Sequence, residues 1–509
     1  MIKKLRFHRF KQFRDQDFDL CPDGVSLVAG ANNSGKSSIL HGLAVWQFCK
    51  TAIEMERGSN VFIAGGSRQG LGLGDDEFSP INVPALNHLW TNLKSRKEAE
   101  PDGYTLKIGC EWNTADRDRY LEFGMALAND RLFVKVTQSN LSEADQIPRI
   151  AYLPPFAGIT DREMRLPGAI RRRRIGEGLA GAVLRNLLLD MYNRSNAERA
   201  RLRGERTKIL DSDLRRLRET DPWERLQSTL RETFFTELRV APFREEYHSY
   251  IRVEVIKGRT LGHKLRRYRD YTKRDLMVEG SGFLQWLSVY ALALDPDLDV
   301  LLLDEPDAHL HCSLQDHLVE KLRSLADATS KQILIATHST EILAHAPAIE
   351  IFELRKGKGK YLSMDHQKVG LFAGLGSDYA PRVDRMKRTK RVLFVEGVSD
   401  VALLKIFSVK LGLPWPEEWV EWVSSRGHKE RRQVFLALKE EIPDLLAVSL
   451  RDRDDEPIET VDADLVDKSH KQLDGFDSRK WRRRHIESYL IWPPAIAAAS
   501  GLRLRTHNQ

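Results

Sequence analysis

With 509 residues, the chain exceeds what one hydrophobic core usually organises, so two or more domains are expected. Hydrophobic residues at 41 % and charged ones at 30 % describe a globular chain, and 80 Lys and Arg against 73 Asp and Glu leave a charge of +7 whose distribution matters more than its sign. Cys21, Cys49, Cys110 and Cys312 lack Cys-x-x-Cys spacing, which argues against a zinc site or a disulfide framework and fits a reducing cytoplasm; no run approaches the ~18 apolar residues of a membrane span, and the start has no signal-peptide apolar stretch.

Residues 1–29 read as two or three strands. The last of them, Val25 to Ala29, runs into Gly30-Ala31-Asn32-Asn33-Ser34-Gly35-Lys36-Ser37, and a helix-like Ile39 to Val45 follows. Strand, Gly-x-x-x-x-Gly-Lys-Ser and helix in that order make a phosphate-binding loop. Backbone N–H groups and the helix N-terminus surround phosphate oxygens, Lys36 reaches the β- and γ-phosphates, and Ser37 holds a magnesium ion. The expected ATP contacts are Asn32, Asn33, Gly35, Lys36, Ser37 and Ser38. The stretch from about 61 to 84 is Gly-rich and aperiodic, which predicts a surface loop. Three runs then alternate with period two: Tyr104 to Trp112, Leu121 to Leu127 and Leu132 to Val136, which predicts an antiparallel sheet.

From about 161 to 244 the chain turns rich in Arg, Glu and Leu with helical spacing, the pattern of a helical insertion; Arg171 to Arg174 near its start suit either a solvated face or phosphate contact. Ile251 to Val255 returns to strand. Gly280-Ser281-Gly282-Phe283-Leu284-Gln285 then opens a helix, whose free N–H groups and Ser281 hydroxyl suit a phosphate. Asp297 to Pro306 is a buried strand ending in acids, with Asp304 placed to hold magnesium and Glu305 to polarise the attacking water. Lys331 to His338 is a second buried strand whose His338 is placed to meet the γ-phosphate. A last hairpin and a charged linker close this part.

Arg391 to Asp400 repeats strand, turn and helix, but its turn carries Glu396 and Asp400 where the first one carried a lysine. Leu445 to Asp454 is another buried strand with Asp452 and Asp454 at its end, and residues two apart on extended backbone point the same way. A strand at Trp419 to Ser425 and a helix at Lys429 to Lys439 complete a β-α-β-α-β pattern, so both acidic sets fall on the edge where parallel sheets bind ligands. Four carboxylates there repel without cations; one or two Mg²⁺ or Mn²⁺ ions relieve this and can drive phosphodiester cleavage.

The first set of motifs resembles the ATP-binding-cassette ATPases of the SMC, RecF and OLD type: Walker A from Gly30 to Ser37, a signature-like Ser281-Gly282-x-x-Gln285, Walker B with Glu305, a D-loop-like Asp307 to His311, and the switch His338. The opening Ile2 to Phe13 resembles the first strand of those proteins; no Q-loop glutamine is assigned, since Gln47 lies inside the first helix. The second set resembles a Toprim domain. There the resemblance adds Glu487 as a late metal ligand and Arg484 beside the scissile phosphate.

Cassette ATPase and Toprim on one chain look like the OLD family, with the Gabija nuclease and the PARIS components as relatives. That likeness implies an α/β fold: a parallel core with an antiparallel β-layer, a helical insertion, then a Toprim α/β domain. The implied segments are an ATPase lobe at 1–160, a dimerisation insertion at 161–244, a second lobe at 245–364, a linker at 365–389 and Toprim at 390–509. It also implies ATP with Mg²⁺, a homodimer or larger homo-oligomer in which one copy's signature closes over the other's ATP, a partner defence protein, and cleavage of DNA or transfer RNA in anti-phage defence. The rival readings are an ATP-switched sensor scaffold, in which the acidic quartet binds no metal, and a RecF-like repair clamp, which leaves that quartet unexplained.

Overall fold

The computed structural model describes residues 1–491 apart from 22, 65–68, 75–76, 97–102, 115–116, 156–158, 177–178, 263, 356, 369–370, 373–379, 425–426 and 471–472. The chain forms two compact units, Met1–Tyr361 and Leu362–Gln509.

The first unit opens with β1 (Ile2–Phe10), β2 (Phe13–Asp19) and β3 (Gly24–Ala29), then helix α1 (Lys36–Arg57). β4 (Leu71–Leu73), β5 (Leu106–Asn113), β6 (Asp118–Ala128), β7 (Arg131–Ser139) and β8 (Ile150–Leu153) follow. Four helices come next: α2 (Gly168–Gly176), α3 (Leu184–Arg203), α4 (Asp211–Thr220) and α5 (Pro222–Phe234). The chain then runs through β9 (Thr236–Val240), β10 (Val253–Leu261), β11 (Lys264–Arg267), β12 (Arg274–Asp275), α6 (Ser281–Ala293), β13 (Val300–Asp304) and α7 (Cys312–Thr329). It closes with β14 (Gln332–Ala336), α8 (Thr340–His345), β15 (Ile351–Arg355) and β16 (Lys358–Tyr361).

Two six-stranded sheets carry this unit. One is antiparallel, in the order β2-β1-β5-β6-β7-β4, so the three alternating runs of the sequence are its middle. The other runs β16-β15-β3-β14-β13-β8 and is parallel except at the β15–β16 hairpin. β13 and β14 are buried at every position, as strands covered on both faces must be. α1 is apolar nearly all round because both sheets pack on it. Trp46 is fully buried, 5.7 Å from the Phe123 ring and 6.1 Å from that of Trp112, and donates its ring N–H to the Leu121 carbonyl. Gly42 is needed on this helix, since a Cβ there would lie 2.1 Å from the Phe7 ring.

The Gly-rich stretch from 61 to 84 departs from the expected surface loop. Val61, Phe62, Leu73, Phe78 and Ile81 enter the core, and β4 pairs with β7, so isolated apolar residues without a period still anchor it. Within the expected insertion at 161–244 the helices run from Gly168 to Phe234, as the spacing predicts, but Thr236–Val240 is strand β9, paired with β10; Asp221 caps α5 by accepting the Glu224 N–H, with Pro222 in the first turn. Arg171, first of the four-arginine run, pairs with Asp190.

The second unit holds β17 (Arg391–Val395), β18 (Val420–Val423), β19 (Leu446–Arg451) and β20 (Phe476–Lys480), all parallel in the order β18-β17-β19-β20. Helices Val398–Lys410 and His428–Glu441 connect the first three, the predicted β-α-β-α-β pattern. The expected linker at 365–389 includes a helix, Ala380–Thr389, whose Met386 is fully buried with Val392, Phe394, Phe435 and Phe476.

Candidate nucleotide and metal sites

Strand β3 delivers the phosphate-binding loop to the start of α1. Gly35 has φ of 108°, and a Cβ there would fall 2.1 Å from the Gln12 amide nitrogen, so only glycine fits this turn; Asn33, at φ of 60°, is a residue type that tolerates it. Gln12 in turn donates to the Ser34 carbonyl at 2.7 Å. Lys36 is buried and folded over the loop, with Nζ donating to the carbonyls of Gly30 at 2.8 Å and Ala31 at 3.1 Å. Burial pulls its pKa down while Glu305 and Asp304 oppose that. Ser34 Oγ is buried with no hydrogen-bond partner among the described residues. An orphaned hydroxyl and a cation satisfied only by its own loop fit an anion in this cradle. Asn32 and Asn33 are exposed at its rim, and Ser38 is half-buried in the first turn of α1.

β13 brings Asp304 against Ser37, whose Oγ donates to Oδ1 at 3.0 Å. Oδ2 accepts from the Tyr152 hydroxyl at 3.2 Å and lies 3.7 Å from His41 Nε2. Behind them His41 Nδ1 meets Lys11 Nζ at 2.6 Å. Burial raises the Asp304 and Tyr152 pKa values, and it lowers Lys11 to about 8 and His41 to about 3. Sequence reasoning missed Lys11, His41 and Tyr152. A signal existed for His41, four residues after Ser37 on one helix face, and for Tyr152, whose strand pairs with β13.

Glu305 turns out of the strand with φ of 47°, its N–H held by the Ala336 carbonyl. Its carboxylate lies 3.4 Å from His338 Nε2, so the two expected catalytic groups of this site meet. Burial, then Lys36, keeps the His338 pKa low, with Glu305 opposing, which favours the neutral ring as a hydrogen-bonding partner. Magnesium-ATP bound here would be held by the loop N–H groups, Lys36, Ser37 and Asp304, and the ion would neutralise phosphate charge. In such an arrangement Glu305 would stand as the base or water-positioning group. Gln47, by contrast, is structural: its amide bonds Thr51 and accepts the Ile150 N–H. Ser281 is exposed at the first position of α6, and no hydrogen bond joins it to the loop of its own chain among the described residues. Gly282 sits against the His309 carbonyl, 2.9 Å from where its Cβ would be.

In the second unit the ends of β17 and β19 bring Glu396 and Asp452 together: the Asp452 N–H donates to Glu396 Oε1 at 3.2 Å. Buried Arg431 stands 3.6 Å from the same oxygen and donates to the Ser424 and Leu450 carbonyls. Burial raises the Glu396 pKa, and Asp452 and Asp454 add to it. Asp452 accepts the Ile486 N–H at 3.1 Å and lies 3.2 Å from His485 Nδ1, which is 3.5 Å from Asp454. Ligand atoms of Asp452, Asp454 and His485 all fall within 4.8 Å of one another, a mixed oxygen and nitrogen set that fits a divalent cation.

Asp400 takes a different part: its carboxylate accepts the N–H groups of Glu396 and Gly397 at 3.0 and 3.1 Å, closing the start of the following helix. Glu487, expected as the late ligand, is exposed and outside the cluster, and His485 stands in its place. The reason is local. Residues 486–489 form a single 3-10 turn that buries Ile486 and binds its N–H to Asp452, which puts residue 485 at the acids. Arg484 pairs with Asp455, and its carbonyl accepts the N–H groups of Arg453 and Asp454.

Residues 4–83 match a family model described as an AAA domain, and residues 257–344 match one described as "AAA domain, putative AbiEii toxin, Type IV TA system". The first span contains the phosphate-binding loop and the second the Ser281 helix, Asp304, Glu305 and His338, so the unit is an ATPase of the P-loop class. Among solved structures, an Smc head bound to the C-winged helix domain of ScpA is 13% identical over 71% of this chain and 97% of its own, with a TM-score of 0.39. An Smc head with an extended coiled coil, bound to the C-terminal domain of ScpA from Pyrococcus furiosus, gives 12%, 72%, 97% and 0.38 in the same terms. The recombination mediator RecF with ATP gives 14%, 71%, 97% and 0.35. No curated protein matches the chain. No helix among the described residues is long and apolar enough to cross a membrane.

Proposed function

We propose that the chain is an ATP-hydrolysing enzyme whose second unit cleaves phosphodiester bonds with Mg²⁺ or Mn²⁺, as the OLD-type nucleases it resembles do, on DNA or transfer RNA and in defence against phage. The observation that carries the reading is the convergence of Glu396, Asp452 and Asp454 at the C-terminal edge of a parallel sheet, on a chain that also carries a complete phosphate-binding ATP site. Structural acids at strand ends spread apart or pair with cations; these crowd on each other, and Glu396 has one partly screening arginine.

In this reading Asp452 and Asp454 would hold the metal with Glu396 beside them, such an ion would supply activation of water and stabilisation of the departing oxygen, and Arg431 limits the charge on Glu396. ATP bound between two copies governs access to that chemistry, each copy lending Ser281 and Gly282 to the other's site.

The test offers plasmid DNA and total transfer RNA separately to the intact protein with ATP and either metal. Cleavage of one substrate by the parent, lost in Glu396→Ala and Asp452→Ala while ATP turnover persists, supports the proposal. Equal cleavage by parent and Glu396→Ala would refute it.

A further inference from the structure

Outside both sites, the hairpin β10–β11 and the return to β12 form a basic surface of the first unit. Residues 257–274 contain eight Lys or Arg and a single acid, Asp270. Two of the cations are neutralised locally, Lys257 by Glu279 at 2.7 Å and Lys273 by Glu254 at 2.8 Å. Arg259, Lys264, Arg266 and Arg269 have no carboxylate partner among the described residues, and all four are exposed. Arg259 and Arg266 stand directly opposite each other in the hairpin register, and Leu261 opposite Lys264. Like charges facing across a strand pair repel, so this hairpin carries an electrostatic cost, reduced by solvent, that a bound anion would relieve.

We infer that this hairpin is a binding surface for the phosphate backbone of a nucleic acid. The inference rests on the proposed function for its partner class and adds where the nucleic acid is held. Arginine predominates over lysine here, and its planar fork suits phosphate oxygens. Tyr268, 54% exposed beside Arg266 and Arg267, offers a ring on which a base can stack.

The platform is also firmly mounted. β9 pairs along β10, Thr260 Oγ1 donates to the Arg231 carbonyl at 2.8 Å, and Asp275, at the end of β12, accepts two bonds from the fully buried Arg185. Six residues after Asp275 the Ser281 helix begins, so the surface is joined to the ATPase machinery by a short, fixed segment.

The experiment measures fluorescence anisotropy of a labelled single strand and a duplex with the full chain, in EDTA to suppress cleavage and across a salt series. Arg259→Glu/Arg266→Glu should weaken binding at least tenfold and lower the log–log salt slope by about two. The milder Arg259→Gln/Arg266→Gln should fall between. Arg203→Glu/Lys208→Glu, an equal charge change on α3 and the loop after it, should leave binding within twofold, and melting temperature and ATP affinity should not move in any variant. Affinity within twofold of the parent in the hairpin variants overturns the inference and leaves the nuclease reading standing, as does an equal loss in the α3 control. Polyglutamate competing as well as unlabelled nucleic acid also overturns it. If the parent binds neither nucleic acid, the nucleic-acid reading of the whole chain falls with it.

Discussion

Asp304 is a residue on which burial and function pull in opposite directions. Burial holds its carboxyl above the usual carboxylate range, and the bonds from Ser37 and Tyr152 offset this only in part. An acid whose folded pKa lies above the unfolded value of about 3.9 binds its proton more tightly in the folded state, so the fold gains stability as pH falls through the folded pKa and the ionised form weakens it at pH 7. Asp304→Asn should therefore raise the melting temperature in EDTA at pH 7, with the gain shrinking toward pH 4, while Mg²⁺-dependent ATP turnover disappears. A lowered melting temperature at pH 7 would contradict this. Two further substitutions should separate binding from chemistry: Lys36→Ala removes the loop cation and should lower ATP affinity at least tenfold, whereas Glu305→Gln should keep affinity and slow turnover at least a hundredfold, read by equilibrium nucleotide binding and phosphate release. Lys36 and Ser37 were legible because phosphate chemistry fixes their spacing within one short segment, and Glu305 because it follows the unbroken apolar run of β13. Lys11, His41 and Tyr152 come from the β1–β2 turn, α1 and β8, so only tertiary packing joins them, and the one local sign is the four-residue step from Ser37 to His41.

Elements were legible where burial imposes a period. β13 and β14 announce themselves as unbroken apolar runs, and the β5–β7 meander as alternation. The stretch from 61 to 84 hid because scattered apolar residues hold it, and the helix Ala380–Thr389, which buries Met386, hid in a segment rich in charge. In the second unit the decisive packing is ionic and equally invisible to hydropathy. Lys480 and Asp467 are both completely buried and 3.0 Å apart, Arg451 bonds Asp467 and Glu456, and Lys480 also reaches Glu456. These partners hold Asp467 well below the carboxylate range and bring Glu456 down to about 2. Acids with depressed folded pKa values contribute stability above their unfolded values of about 4, and that contribution is lost as pH falls toward about 2. Lys480→Met leaves Asp467 short of a partner in a dry site and should cost about 3–5 kcal/mol of stability, measured as faster hydrogen exchange in β19 and β20. Exchange at the parent's rate would show that Arg451 alone satisfies the acid.

At the scale of the molecule, the chain divides its chemistry between two sheets: an ATP site at the end of β3 and β13, and an acidic edge at the end of β17 and β19. In the first, Ser281 is exposed and has no bond to its own loop among the described residues, which is the basis for proposing a site shared between copies. In a Cys21→Ser background, Ser34→Cys mixed with Ser281→Cys should cross-link between chains when ATP is added to Glu305→Gln protein; coupling that appears only in a chain bearing both substitutions would rule the shared site out. The central claim concerns the second sheet, that its acids hold a divalent cation. Calorimetric titration of nucleotide-free protein with Mn²⁺ measures this without depending on substrate or trigger. The account predicts Mn²⁺ binding by the parent and by Asp304→Asn, and its loss in Asp452→Ala/Asp454→Ala; the same binding in that double variant as in the parent would contradict it.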